Sequence, residues 1–305
     1  MKCDLCPRKC LVDRKKGEKG ICGQTENLKV ARAALHFWEE PCISGDAGSG
    51  AVFFSGCPLH CVFCQNENIA NGTVGKEISL ERLVGIFLEL QEKRANNINL
   101  VTPGHFVPQI VKALDQARKE GLTLPVVYNT SSYETVDTIK MLEGYVDIYL
   151  PDFKYMSPVL SKKYSHAPDY AEVAKAAIAE MVRQTGKAVF VNGDEDNLIL
   201  SGTIVRHLTL PGCMADSMQI LKYLHDTYGD MIYISIMNQY TPVFEQKEYT
   251  ELYGYATGIY ENAYSCDDLQ GVIKVFTEDT TPEKFKELTE SYTVEDVKTR
   301  IFGEE

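Results

Sequence analysis

Between about residues 50 and 240, short apolar runs alternate with longer amphipathic segments. Short runs rich in β-branched and aromatic residues are typical of buried strands. They predict strands at residues 51–54, 98–101, 125–128, 146–150, 203–208 and 232–236.

The amphipathic segments between these runs predict helices. Ser79 is a suitable N-cap for a helix that carries Leu83 and Phe87 on one apolar face. A second helix is predicted over about 107–120, ending at Gly121, a residue type that favours helix C-termini. Further helices are predicted at about 134–143, 170–185 and 216–228.

This alternation predicts an α/β fold built from right-handed βαβ units with a parallel sheet. About six units are visible, which favours a partial (β/α)6 barrel over a closed eight-fold one. Residues 188–202 predict an inserted hairpin or loop. Functional groups in such folds gather at the carboxyl ends of the strands, so the residues that follow each strand matter most.

The pattern also divides the chain into three parts. Residues 1–45 are rich in cysteine and poor in apolar periodicity, which predicts an N-terminal extension. Residues 46–245 carry the predicted barrel. Residues 246–305 show a weaker pattern, with one helix near 282–290, and are predicted to form a C-terminal extension.

Charge and hydropathy exclude several classes of partner. The formal net charge of −12 opposes binding to nucleic acid, which needs a basic surface. No apolar run reaches the roughly 18 residues of a membrane span. The N-terminal residues lack the apolar core of a secretion signal. We therefore expect a cytoplasmic protein that binds neither nucleic acid nor membrane.

The distribution of cysteine indicates metal chemistry. Eight of the ten cysteines lie within the first 64 residues, and only Cys213 and Cys266 lie beyond them. Disulfide frameworks belong to small secreted domains, whereas clustered cysteines in a reducing compartment more often bind metal.

Cys57, Cys61 and Cys64 form a C-x3-C-x2-C motif directly after the first predicted strand. Iron–sulfur clusters are held by cysteine thiolates, ordinarily four, so three would leave one iron free for a small molecule. Two alternatives remain open on spacing alone. One is a structural zinc site completed by His60 or Cys42, and the other is an electron-transfer cluster with a fourth protein ligand.

The motif resembles the signature of the radical S-adenosylmethionine (SAM) superfamily, including an aromatic residue, Phe63, before the last cysteine. The stretch from Ala51 to Asn66 resembles the glycyl-radical-enzyme activases, and in particular proteins similar to the pyruvate formate-lyase activating enzyme. Residues 39–45, 206–212 and 237–240 extend this resemblance. One departure is that Ser44 to Ser49 lacks the arginine found in authentic activases.

The resemblance implies a partial barrel of the radical SAM type in which Cys57, Cys61 and Cys64 hold a [4Fe–4S] cluster. It also implies SAM-binding residues at the strand ends. The expected cofactor-binding residues are Phe63, Asn66, Thr102, Gly104, Asn129, Ser131, Asp152, Lys154, Arg206, Asn238 and Gln239. Two alternatives are a surface ion pair for Asp152 and Lys154, and a buried bridge from Arg206 to an acid such as Asp152.

The implied chemistry is reductive cleavage of SAM to a 5′-deoxyadenosyl radical that abstracts hydrogen from a substrate. It implies an external one-electron donor, such as flavodoxin or ferredoxin. Three functions follow: an activase for a glycyl radical enzyme, a radical SAM enzyme for another substrate, or a non-enzymatic iron–sulfur or zinc protein. The sequence singles out no catalytic acid or base.

Four more cysteines, Cys3, Cys6, Cys10 and Cys22, lie within twenty residues. Their spacing favours a structural Zn²⁺ site, with a second iron–sulfur cluster or no metal as alternatives. The glycine-rich stretch 45–50 lacks the Lys-Ser/Thr of a phosphate loop and is predicted to form a turn beside the cluster.

Overall fold

The computed structural model describes residues 2–193, 197–237, 240, 249 and 252, together with the backbone of 272–273. Asn238, Gln239, Cys266 and most of the predicted C-terminal extension lie outside these residues. The strands are β1 Lys29–His36, β2 Ser49–Phe54, β3 Lys76–Glu77, β4 Ile98–Val101, β5 Val126–Thr130, β6 Ile148–Pro151, β7 Val189–Phe190, β8 Ile199–Leu208, β9 Tyr233–Met237 and β10 Val272–Ile273. The helices are α1 Pro41–Ser44, α2 Glu67–Ala70, α3 Leu80–Glu92, α4 Val107–Lys119, α5 Val136–Lys140, α6 Pro158–Ser165, α7 Tyr170–Thr185 and α8 Met214–Tyr228.

Six parallel strands form the centre of the sheet, in the order β2-β4-β5-β6-β8-β9. β1 pairs antiparallel with β2, and β3 continues from β1 at that edge. β10 pairs antiparallel with β9 at the other edge, and β7 pairs with β8 as a short hairpin. The predicted α/β class with a parallel sheet is confirmed.

Sequence signals explain most of the helix boundaries. Ser79 caps α3 by accepting a hydrogen bond from the Arg82 amide at 3.2 Å. α4 ends just before Gly121, whose φ of 106° is readily adopted by glycine. β1 was not predicted, because its burial pattern is irregular and its register shifts between Val30 and Arg32.

The two faces of the sheet are covered differently. Helices α3, α4, α5, α7 and α8 pack on one face, here called the outer face, through two apolar clusters that both include residues of α7. Side chains alternate along each strand, so Val127, Ile148 and Ile204 point to the opposite, inner face. Helices on one face suit a partial barrel, whose inner face needs its own covering.

Residues 37–48, which connect β1 to β2, provide this covering and are here called the plug. Ile43 of α1 is fully buried in the plug and packs with Val127, Ile148 and Ile204 of the inner face. The glycine-rich stretch 45–50 therefore lies at the start of β2, whereas the C-x3-C-x2-C loop follows its end. The expectation of a turn beside that loop was wrong, because the two segments occupy opposite ends of one strand.

No helix in the described part of the chain has the length and apolar character needed to cross a membrane.

We expect Ile43→Ala to lower the free energy of unfolding by about 2–5 kcal/mol, because the change leaves a cavity among strands that can relax little. Chemical denaturation would measure the loss. Val159→Ala, at a residue that is 72% exposed, is the control and should change stability by less than about 0.5 kcal/mol. Equal effects of the two substitutions would show that the plug is not packed against the inner face.

Candidate functional site

The three cysteines of the C-x3-C-x2-C motif lie on one loop at the carboxyl end of β2, and each is partly buried. They are near enough to influence one another. Burial raises the pKa of Cys57 to about 12, and the neighbouring Cys61 and Cys64 add to the shift. Burial likewise raises the pKa of Cys64 to about 11, with Cys61 adding to it. The sequence-predicted triad is therefore brought together.

The backbone before the motif is fixed by close packing. Gly56 has a φ of 91°, and a Cβ there would overlap the carbonyl oxygen of Cys22. The Gly56 amide donates to the Ile69 carbonyl at 2.8 Å. His60 has a φ of 48°, and its Nε2 lies 2.8 Å from the Ile21 carbonyl. Both ends of this short loop are thus held against the N-terminal segment and α2.

Side chains from α6, from the loop before it and from the residues after β9 surround the cysteines. The Ser165 hydroxyl donates to Cys61 Sγ at 3.0 Å, and Tyr155 shares a hydrogen bond with the same serine at 2.7 Å. Phe63 makes edge contacts with the rings of Tyr155, Tyr164 and Tyr240 at centroid distances of 6.2–6.4 Å. Asn66, the other expected residue of this loop, is exposed.

Four of the expected cofactor-binding residues form one hydrogen-bonded network. Lys154 Nζ lies 2.6 Å from Asp152 Oδ2, and Arg206 Nε lies 3.0 Å from Asp152 Oδ1. Arg206 Nη2 also donates to Asn129 Oδ1 at 2.7 Å. This geometry matches the alternative in which Arg206 forms a buried bridge to Asp152. Asp152 and Lys154 are largely buried as well, which sets them apart from a surface ion pair.

Electrostatics keeps this network ionised. Burial acts to raise the pKa of Asp152, but Lys154 and Arg206 together hold it below its ordinary value. Burial acts to lower the pKa of Lys154, but Asp152 and the Cys61 thiol hold it above its ordinary value. The Lys154 ammonium is therefore a fixed positive charge near the cysteine loop.

Glu39 joins this network from the plug, although no motif assigned it a role. Its Oε2 accepts from Asn129 Nδ2 at 3.0 Å and lies 3.4 Å from Arg206 Nη1. Burial raises the pKa of Glu39 to about 7, against the opposing effect of Arg206. The sequence did hold a signal for a role of Glu39. Two adjacent acids stand before Pro41 in a segment that otherwise has few charged residues.

The remaining expected residues lie at the same edge of the sheet. Thr102 follows β4 in a left-handed conformation, φ 55°, and its amide donates to the Asn129 carbonyl at 2.9 Å. The Ser131 carbonyl accepts from the Tyr170 hydroxyl at 2.8 Å. Gly104 lies against Glu134, whose carboxylate a Cβ at residue 104 would overlap.

Glu134 is a buried acid that sequence reasoning missed. Its Oε1 accepts from Thr130 Oγ1 at 2.8 Å and from the Tyr128 hydroxyl at 3.3 Å. Its Oε2 has no hydrogen-bond partner in the described part of the chain. Burial raises the pKa of Glu134 to about 7, although both hydroxyls act to lower it.

The four N-terminal cysteines also lie close together. Burial raises the pKa of Cys6 and of Cys22, and neighbouring thiols of the group add to both shifts. A Cβ at Gly20 would lie 2.8 Å from Cys10 Sγ and 3.8 Å from Cys22 Sγ. Within the described residues, no three His, Cys, Asp or Glu side chains, here or in the C-x3-C-x2-C loop, converge closely enough for a single metal ion.

Arg8 joins this N-terminal segment to the cysteine loop. Its guanidinium donates to the Pro58 carbonyl at 2.9 Å, to Ser165 at 3.0 Å and to His166 at 2.5 Å. The same group lies over the Tyr133 ring at 5.1 Å. One arginine thus ties residues 2–10 to the loop that carries Cys57 and to the end of α6.

Comparisons with known proteins place these features in a family context. A family model described as the Radical SAM superfamily matches residues 51–196. An uncharacterized protein of Methanocaldococcus jannaschii, MJ0674, is 26% identical over 259 residues, which cover 82% of this chain and 69% of that protein.

Two solved structures also align with the chain. Methylornithine synthase (PylB) aligns at a TM-score of 0.44 and 15% identity, covering 63% of this chain and 54% of its own. HydG, a maturase of the [FeFe]-hydrogenase, aligns at a TM-score of 0.41 and 14% identity, covering 64% and 46%. The chain thus spans about half the length of these two proteins.

We expect Glu134→Gln to gain stability relative to the wild type as the pH rises from about 4.5 to about 7. The folded protein holds the Glu134 proton more tightly than the unfolded chain, so the wild type loses stability as that proton dissociates in this window. Glutamine does not titrate. At neutral pH the free energy of unfolding of Glu134→Gln relative to the wild type should be roughly 1–3 kcal/mol higher than at pH 4.5, as measured by denaturant titrations. Glu92→Gln, at an exposed position, is the control; a pH-independent difference for Glu134→Gln would contradict the burial argument.

Proposed function

We propose that the chain is a radical SAM enzyme in which Cys57, Cys61 and Cys64 hold a [4Fe–4S] cluster, a proposal supported by the match of the Radical SAM superfamily model to residues 51–196. When bound, the cluster supplies the electron that cleaves SAM to methionine and a 5′-deoxyadenosyl radical, which abstracts hydrogen from the substrate. The observation that carries the proposal is the position of three mutually interacting thiols on one loop at the carboxyl end of β2.

The residues of this loop suit a cluster with three thiolate ligands. Gly56 lets the backbone pass closely behind the cysteines, and Ser165 donates a hydrogen bond to Cys61 Sγ. Hydrogen bonds to cluster sulfurs and limited solvent exposure are the means by which proteins set the reduction potential.

The network at the neighbouring strand ends supports a binding site for SAM. Lys154 offers a fixed ammonium near Cys61, suited to the SAM carboxylate. Arg206 is already bound by Asp152, Asn129 and Glu39, so we assign it the task of orienting Asp152 and, through it, Lys154. The backbone at Thr102 and Ser131, with the aromatic group around Phe63, would exclude water from the cofactor.

Two classes of substrate are compatible with this chemistry. The resemblance of residues 51–66 to activases supports a glycyl radical enzyme as the hydrogen donor, and an electron donor such as flavodoxin or ferredoxin would reduce the cluster. The absence of an arginine between Ser44 and Ser49 supports instead a small molecule or another protein. Deuterium transfer from a labelled candidate into 5′-deoxyadenosine separates the two.

We also propose that Cys3, Cys6, Cys10 and Cys22 bind one structural Zn²⁺. The four thiols lie in one group but do not converge on a single point in the described structure, so a tetrahedral cation would have to draw them together and would then offset the repulsion between their thiolate forms. A metal-bound N-terminal segment would then hold the cluster loop in place, through the hydrogen bond from Arg8 to Pro58 and the packing of Cys22 against Gly56.

We expect Cys57→Ala, Cys61→Ala and Cys64→Ala each to abolish both the electron paramagnetic resonance signal of the reduced cluster and formation of 5′-deoxyadenosine. Anaerobic reconstitution followed by reduction with dithionite in the presence of SAM would measure both. Cys213→Ala, at a buried cysteine of the apolar core, is the matched control and should retain both. If a Cys57→Ala protein still formed 5′-deoxyadenosine at the wild-type rate, the ligand assignment would be wrong.

We expect about one equivalent of zinc per chain in protein purified without added iron, as measured by elemental analysis. Cys6→Ser should remove most of it, because a tetrahedral site loses a quarter of its ligands. Cys42→Ser, at a cysteine of the plug, is the control and should leave the zinc content unchanged. Iron in place of zinc at these positions would favour the second-cluster alternative.

A further inference from the structure

The inner face of the sheet carries a polar layer between Ile43 of the plug and the cysteine loop. Asn99 of β4, Asn129 of β5, Arg206 of β8 and Ser235 of β9 occupy inward positions of four strands. Asn99 pairs in register with Val127, one inward step before Asn129, and Glu39 lies near both amides. Polar side chains that several strands direct to one interior are typical of a ligand site inside a barrel.

The plug adds two adjacent carboxylates to this layer. Glu39 accepts from Asn129 and Arg206, as described above. Glu40 is only 7% exposed and lies near enough to Arg206 and to Glu39 to influence the pKa of each. Pro41 and α1 follow directly, and the Glu40 carbonyl accepts from the amides of Ile43 and Ser44 at 2.8 and 3.0 Å. The backbone of Glu40 is therefore fixed.

Two buried side chains of this layer are short of hydrogen-bond donors among the described residues. Glu40 Oε2 accepts no hydrogen bond. The fully buried Asn99 directs its amide to the Glu39 carboxylate, which lowers the pKa of Glu39, and its Oδ1 is left without a donor. A buried polar atom without a partner costs about 1–3 kcal/mol, so buried groups of this kind call for an explanation such as a ligand.

The charges of the layer define what that ligand would be. Arg206 and Lys154 are the two cations, and both contact Asp152. Glu39 contacts Arg206 as a second acid. Glu40 is then the acid left without an ion pair among the described residues. A buried carboxylate in this position favours a cation with N–H donors.

We propose that this polar layer binds a primary ammonium group of the substrate, with Glu40 Oε2 and Asn99 Oδ1 accepting its N–H bonds. The inference rests on the proposed function for the role of the ammonium compound as substrate, but not for its binding. The apolar side chains of Ile43 and Leu150 below and beside the layer would contact an aliphatic chain on the same molecule. The substrate class is therefore an aliphatic amine.

The test compares 1,5-diaminopentane with its neutral analogue 1,5-pentanediol, using ligand-observed NMR to measure dissociation constants for the full chain. The diamine should bind at least about tenfold more tightly than the diol. Glu40→Gln should weaken diamine binding about 10- to 100-fold and leave diol binding unchanged, since a hydrogen bond to a charged group contributes about 1.5–3 kcal/mol. Glu92→Gln, at an exposed glutamate, is the matched control.

A second variant and a stability measurement distinguish loss of the binding site from loss of the fold. Asn99→Ala should weaken diamine binding at least about threefold, and thermal unfolding of both variants shows whether the fold persists. Equal affinity for diamine and diol, or no effect of Glu40→Gln in a folded protein, would overturn the inference. An effect of Glu40→Gln on SAM binding alone would also overturn it, because the ammonium would then belong to SAM.

The two proposals fail in different ways. If diamine binds through Glu40 but the reduced protein never cleaves SAM, the proposed function is wrong and the amine site remains. If SAM is cleaved but diamine does not bind, the amine site is wrong and the proposed function remains. Cys57→Ala separates them further, since it should abolish cleavage and leave diamine binding within about twofold of the wild type.

Discussion

The guanidinium of Arg206 sets the arrangement of the inner face. A charge in the middle of a buried strand is costly unless it is paired, and Arg206 has three partners from three elements. Asp152 comes from the end of β6, Asn129 from β5 and Glu39 from the plug. Because these partners lie far apart in sequence, satisfying one arginine brings the strand ends and the plug to a common level. Lys154 is then fixed by the same Asp152 carboxylate.

The strands and helices could be predicted from the sequence because their signals are local. Residues 170–185 were predicted as a helix and form α7 with those bounds. Short apolar runs identify β5 and β8, and the spacing of Cys57, Cys61 and Cys64 is a local feature too. The parallel sheet followed from the alternation of strands and helices and the general rules of βαβ connection.

Other features depended on contacts that no local pattern records. β1 reads as an irregular, half-exposed segment, and its place beside β2 depends on backbone pairing alone. Glu134 carries no motif, and its burial follows from the absence of a side chain at Gly104, thirty residues earlier. The stretch 45–50 is close in sequence to the cysteines. In space, the length of β2 separates it from the cysteine loop. Proximity in sequence was a poor guide there.

The N-terminal segment and the plug act on the two sides of the same site. Arg8, Ile21 and Cys22 contact the cysteine loop from outside, through the Pro58 carbonyl, His60 and Gly56. Glu39 contacts the strand-end network from within. Both segments precede β2 in the chain. They contact the site at the end of β2 from opposite sides and position the cysteine loop that follows this strand.

Glu39 and Glu40, the adjacent acids of the plug, have different roles. Arg206 is the cation near both of them, and it forms an ion pair with Glu39. Glu39 lies against Arg206 and shares Asn129 with it, so its charge is used in holding the strand ends together. Glu40 is buried at the same level, and one of its oxygens has no partner in the described chain. Asp152, Glu39 and Glu40 are three carboxylates beside two cations, Arg206 and Lys154, and the raised pKa of Glu39 lets a proton on Glu39 balance the charge. That proton does not supply a donor to Glu40 Oε2. A ligand with N–H donors would satisfy this oxygen, which a purely structural role for Glu40 does not.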